Sequence, residues 1–200
     1  MPKQMTKFHR AVFQLVLLQL CILVMGQSKQ SNARVLNDTA TIDPLVTTAI
    51  EHFEIRGETL SDLKIELAAK GRGASGITSG TVTYRFRSKI VEGICQIEEV
   101  RASCSTKVRL PRWENIAKAT PERQDLWRGW YAKVKAHEMG HVKICVDVAK
   151  DVERIIWATK GDPICFNVKR NAEARADGIV NGMNARQQDY DMRTDHGRSQ

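Results

Sequence analysis

Trp130, Val134, His137, His141, Ile144, Val148, Val152 and Ile155 follow one another at alternating steps of three and four, the period of one face of an α-helix. Two members of that stripe are histidines, and they sit in His137-Glu138-Met139-Gly140-His141, the pattern HExxH. On a helix, positions i and i+4 lie one above the other, so two imidazole nitrogens can meet a single Zn²⁺ with Glu138 on its flank. Both histidines belong to the apolar stripe and therefore point toward whatever covers the helix. The competing reading is a pair of hydrogen-bonded core histidines. It leaves two imidazoles and a nearby carboxylate to be satisfied away from water, which is costly. From its position Glu138 can take a proton from an activated water and return it to a leaving nitrogen, the part of a catalytic general base.

The helix has defined ends. Thr120 is a suitable N-cap and Pro121 a suitable first helical residue, with Glu122 and Asp125 complementing the positive end of the dipole. Gly161 and Pro163 mark the stop. The span is long for a globular helix, which leaves room for a break or kink near Gly140.

The N-terminus reads as a secretory signal over residues 1–26. Lys3, Lys7 and Arg10 form a basic region, Ala11 to Met25 an apolar one, and Val24-Met25-Gly26 a cleavage site. The apolar run is shorter than the roughly 20 residues a spanning helix needs, so no stable membrane span is expected after cleavage. Leu20 before Cys21 speaks against lipid attachment there. The expected location is secreted or periplasmic. Removing Lys3, Lys7 and Arg10 takes the formal charge from +8 to +5. The remaining cations are interspersed with acids and lack interleaved aromatics, so nucleic acid is not an expected partner.

Cys95, Cys104, Cys145 and Cys165 remain, an even set in a chain bound for an oxidising compartment, which favours disulfides. Three connectivities are open. The favoured one pairs Cys95 with Cys104 across a hairpin and Cys145 with Cys165 at the end of the long helix. Cys145 as a soft zinc ligand is the weaker alternative.

Residues 27–43 are polar and read as a flexible leader, and 44–200 as a single domain. His52 to Ile55 alternates like a short strand. Thr59, with Asp62 three residues on, forms an N-cap for a short helix through Leu60, Leu63 and Leu67 that stops at Gly71. Gly71 to Gly80 reads as a loop. Val82, Tyr84 and Phe86 alternate with polar neighbours over 81–90, and two further strands are expected near 93–101 and 103–110, ended by Pro111 and Trp113. A weaker helix is expected over 172–184. The order of elements predicts an α+β fold in which a small antiparallel sheet packs beside the long HExxH helix, an arrangement that resembles zincin metalloproteases. The edge of such a sheet offers an extended peptide a strand to align on.

A catalytic zinc normally takes a third protein ligand and keeps one open position. Of five histidines, His9 leaves with the signal and two are in the motif, leaving His52 and His196. His196 lies in the polar run Tyr190 to Gly197, where Gly197 allows close backbone approach. Asp191 competes for the position. So does Glu173, in an ExxxD spacing with Asp177 like that of thermolysin-like gluzincins. Tyr190 is a candidate hydrogen-bond donor to a developing oxyanion.

Several segments together resemble the bacterial predicted secreted zinc-dependent protease family, a domain of unknown function. They are His52 to Thr59, Cys104 to Trp113 ending in Leu110-Pro111, Trp127 to Lys135, HEMGH itself, and the terminal YDxxTxHG at Tyr190 to Gly197. HExxH is shared with many zincins, and the terminal motif is the more discriminating. The resemblance implies zinc ligation by His137 and His141 with Glu138 as base, and lifts His196 and Asp191 above Glu173. The expected activity is zinc-dependent hydrolysis of peptide bonds in a peptide or protein substrate. The expected metal set is His137, His141 and His196, with Glu138 and Tyr190 catalytic. Two other outcomes fit the same residues: a zinc hydrolase of cell-envelope amides, and a non-catalytic envelope-binding module with a structural zinc. Oligomeric state is not legible in the sequence.

Overall fold

The computed structural model describes residues 42–198. The expected signal and nearly all of the expected leader lie outside them. The element order is β1 (Leu45–Ile55), α1 (Leu60–Lys70), β2 (Ile77–Val91), β3 (Ile94–Trp113), a 3-10 turn (Ile116–Lys118), α2 (Pro121–Trp157), α3 (Cys165–Asn181) and α4 (Met183–Arg193). The fold is α+β, a three-stranded sheet beside a long helix.

The sheet order is β1-β3-β2. β2 and β3 form an antiparallel hairpin whose turn residues Glu92 and Gly93 both have positive φ, the backbone that a tight two-residue hairpin turn requires. β1 pairs with β3 in parallel, from Leu45 opposite Ser103 to Ile55 opposite Trp113. The sheet is therefore mixed rather than purely antiparallel. The two strands expected near 93–101 and 103–110 are one, 20 residues long. Val100, Ala102, Cys104, Thr106, Val108 and Leu110 bury one face without interruption, and no Gly, Pro, Asn or Asp falls among them. Pro111 does not end the strand. It lies beyond Arg109, where β2 has already left the ladder, so a residue without N–H is tolerated there.

α1 begins as expected, with a capping box between Thr59 and Asp62. α2 runs unbroken for 37 residues through Gly140. Its Cys145, Val148, Ala149, Val152 and Ile156 face Val82, Val100, Ala102 and Cys104 of the sheet, and Ala172 and Ala176 of α3 close the same core. The alanines bring α3 close to α2, where larger side chains would hold the axes apart. The weak helix expected over 172–184 is two helices, α3 and α4, divided at Gly182.

The cysteines pair as Cys95 with Cys165 and Cys104 with Cys145, not as expected. Cys95 and Cys104 sit on one continuous strand, which at about 3.3 Å per residue puts them about 30 Å apart, far outside disulfide reach. Cys145 instead faces the sheet and ties α2 to β3 just past His141. Two disulfides fit a fold matured in an oxidising compartment. Among the described residues, no helix is long and apolar enough to cross a membrane.

Candidate metal centre

α2 presents His137, Glu138 and His141 buried, at 6%, 4% and 9% exposure. α4 packs against this stretch and brings in Asp191. His137 Nε2 and His141 Nε2 lie 3.2 Å apart, and Asp191 Oδ1 is 3.1 Å from the first and 3.0 Å from the second. Among the described residues this is the one group of three His, Cys, Asp or Glu side chains placed to hold a metal ion.

The surrounding hydrogen bonds fix what those three atoms are. His141 Nδ1 lies 2.6 Å from Gln187 Oε1, while Gln187 Nε2 donates to the His141 carbonyl. The amide oxygen therefore accepts from Nδ1–H, leaving a lone pair on His141 Nε2. Thr194 donates its hydroxyl to the Tyr190 carbonyl at 2.8 Å, so its oxygen accepts from His137 Nδ1–H at 3.3 Å. His137 Nε2 then carries a lone pair as well. Burial, followed by the neighbouring His141, holds the His137 pKa below its ordinary value and favours this neutral form. Two imidazole lone pairs and a carboxylate oxygen thus converge with no donor between them. That arrangement is repulsive unless a cation sits in it. A tetrahedral zinc with bonds of about 2.0–2.1 Å spaces its donors about 3.3 Å apart, close to the separations here, so the donor set fits such an ion.

Glu138 stands beside this triad. Thr78 donates to its Oε2 at 2.6 Å, and burial raises its pKa against the opposing effect of that bond. A carboxylate so placed holds a proton more readily than one in water, which suits it to proton transfer near neutral pH.

Two glycines make the packing possible. A Cβ on Gly140 would lie 2.0 Å from Tyr190 Oη, so the smallest residue in HEMGH is where the tyrosine crosses the helix. The Tyr190 ring stacks on His137 at 5.1 Å, meets His141 edge-on at 5.0 Å, and donates its hydroxyl to the His137 carbonyl at 3.3 Å. Gly197, at φ +81°, presses its backbone onto His137, where a Cβ would come within 2.9 Å of the ring.

The structure thus joins His137, Glu138, His141 and Asp191, and separates the other candidates from them. His196, expected as the third ligand, stands outside the converging group, and Asp191 occupies that place. α4 turns Asp191 inward within its last turn, whereas His196 sits in the turn that follows at φ +51° with its side chain 69% exposed and Nδ1 4.0 Å from Asp191 Oδ1. Tyr190 lies behind the histidine rings and not among the residues lining the cleft, with its hydroxyl turned to a backbone carbonyl. Glu173 is exposed on α3, where its carbonyl and the Asp177 carboxylate accept from Tyr84. Gln187, Thr194 and Thr78 were not anticipated. The first two share a face with Asp191 at steps of four and three, a spacing legible in the sequence once α4 is recognised as a helix.

The triad opens into a cleft of about 980 Å³. One wall is the segment 73–80 leading into β2, the floor is α2 from Trp130 to His141, and the far wall is α4 with the turn that follows it. β2 is an edge strand, and its first residues, Ile77, Thr78, Ser79 and Gly80, line this space.

No curated protein and no solved structure matches the chain. A family model does, that of a bacterial protein of unknown function (DUF922), over residues 50–197, a span that contains every residue of the triad together with Glu138, Gln187 and Thr194. The chain therefore belongs to the DUF922 family of bacterial proteins.

Proposed function

We propose that this protein is a zinc metallopeptidase acting outside the cytoplasm. One observation carries the reading: three electron-pair donors, oriented by Gln187 and Thr194, converge within 3.2 Å of one another beside a buried carboxylate. His137, His141 and Asp191 would hold the ion, a His₂-carboxylate set of the kind that leaves a position open for chemistry. Zinc, when bound, supplies Lewis-acid polarisation of the scissile carbonyl and acidifies water. Glu138 accepts the proton of the attacking water and delivers it to the leaving nitrogen. Thr78 fixes one oxygen of Glu138 so that the other stays available. The free edge of β2 aligns an extended peptide across the cleft by backbone hydrogen bonds. Tyr190 acts as a positioning residue that holds both imidazoles from behind. The two disulfides support a secreted or periplasmic site of action.

Hydrolysis of an unfolded protein by the zinc-loaded chain tests this, with Glu138→Gln as the partner measurement. The variant should bind zinc as the wild type does and lose at least about 10²-fold in turnover. Equal turnover in the two would remove Glu138 from the mechanism.

A further inference from the structure

The cleft is charged unevenly along its length. Beyond His141 its lining is Gly80, Met183 and Asn184, without a cation, whereas the His137 end carries Lys133 and Arg198. The Arg198 guanidinium is engaged by Asp195 at 3.3 Å. Lys133 has no hydrogen-bond or ion-pair partner among the described residues. It stands four residues before His137, on the same face of α2, and lines the cleft together with Trp130 and Val134. Trp130 is held by Trp127 at 4.9 Å between ring centres, so the wall beside the ammonium is apolar and fixed. Such a wall lowers the local dielectric and strengthens any charge pair formed against it. Lys133 is solvent-exposed, so its ammonium is free to pair with a negative charge that the occupant of the cleft brings.

We propose that Lys133 selects substrates bearing a carboxylate one or two residues from the scissile amide, either an acidic side chain or the chain terminus. This rests on the peptidase reading for the identity of the occupant. The spacing follows from geometry. Side chains at i and i+4 are about 5–6 Å apart, and an extended peptide advances about 3.3 Å per residue, so a carboxylate at Lys133 lies one or two residues from a carbonyl at the triad.

Binding separates this inference from the catalytic one. The probes are N-terminally labelled penta-alanine peptides carrying one Glu or one Gln, each with a free or amidated C-terminus. Affinity is read by fluorescence anisotropy on zinc-loaded Glu138→Gln and on Glu138→Gln with Lys133→Ala or Lys133→Arg. Carboxylate-bearing peptides should bind about tenfold tighter than their amide counterparts. The advantage should fall to within about twofold with Lys133→Ala and survive with Lys133→Arg. Equal affinities, a preference that persists in Lys133→Ala, or no binding of any acidic peptide would overturn the proposal. Cleavage of the same peptides by the wild type is followed in parallel. A charge preference in binding without cleavage supports the role of Lys133 and counts against the peptidase, and cleavage without a charge preference does the reverse.

Discussion

Gly140→Ala is a substitution for which helix propensity and tertiary packing predict opposite signs. Gly140 lies inside α2, where alanine is intrinsically better by about 0.8–1.0 kcal/mol. Its Cβ, however, would fall 2.0 Å from Tyr190 Oη and 2.3 Å from Cζ. The intruded group is a rigid ring, not the end of a flexible chain, so Tyr190 must move as a body and take part of α4 with it. Overpacking of this kind costs about 1–3 kcal/mol. Displacing the ring also loses its stack on His137, about 0.5–1.5 kcal/mol, and its hydrogen bond to the His137 carbonyl, about 0.5–1.5 kcal/mol. After subtracting the propensity gain, the net loss is about 1–5 kcal/mol. For a domain of this size that is a fall in Tm of about 2–20 °C. Asp191 follows Tyr190 in the chain, so zinc affinity should fall with stability, by about 10–100-fold, as when outer partners of a metal site are disturbed. Gly129→Ala is the control: same helix, nothing within 4 Å of the added carbon, and an expected gain near 1 kcal/mol. Calorimetric unfolding of the metal-free variants and zinc titration of each give both readouts. If Gly140→Ala is stabilised as much as Gly129→Ala and binds zinc as the wild type does, the account of Tyr190 is refuted.

Other consequences are as direct. Asp191→Ala should lower zinc affinity by about 10²-fold or more and His196→Ala by less than about tenfold, measured by chelator competition; the reverse order would restore His196 as the third ligand. Gln187→Ala should cost about 10–100-fold in the same assay with the fold intact, since it orients His141 without touching the ion. Replacing Cys104 and Cys145 by alanine opens a loop with a sequence separation of 41, for which the chain-entropy relation gives about 4 kcal/mol of lost stability; an unchanged denaturation midpoint would show that this bond does not hold α2 to the sheet. The metal-free protein should also differ from metal-free Glu138→Gln in its pH profile. Burial raises the Glu138 pKa, so the folded state holds that proton more tightly than the unfolded one. Stability from this group is present at pH below the ordinary carboxylate value and is lost as pH rises through the raised one. The variant should therefore gain on the wild type as pH rises from about 4 to neutrality, with the histidine titrations common to both; a constant difference would contradict the assignment.

How much of this was legible in the sequence follows from where the polar residues lie. α2 was readable from its Thr120-Pro121 start and its inward stripe, in which two histidines at a meaningful spacing interrupt apolar residues, whereas its length misled: it passes Gly140 without a break and ends at Trp157. α1 was readable from the Thr59 and Asp62 cap. β3 was divided in two because alternation alone does not distinguish one long strand from two short ones, and the disulfides were then paired across a hairpin that does not exist. α4 was largely missed for a different reason. Its inward residues Gln187, Tyr190, Asp191 and Thr194 are chemical rather than apolar, so its periodicity is invisible to a hydropathy pattern. The same helix decides which side chains meet: once it is seen, Asp191 faces the histidines and His196 falls in the turn beyond. The β1–β3 pairing joins residues far apart in sequence, and no local signal announces its parallel direction.

The most direct test of the central claim is X-ray absorption at the zinc edge of the protein loaded with one equivalent of zinc. The account predicts a nitrogen and oxygen coordination shell at about 2.0–2.1 Å with the outer scattering of two imidazoles and no sulfur, reduced in both amplitude and occupancy in Asp191→Ala. Failure to retain stoichiometric zinc, or a zinc environment indifferent to His137, His141 and Asp191, would contradict it.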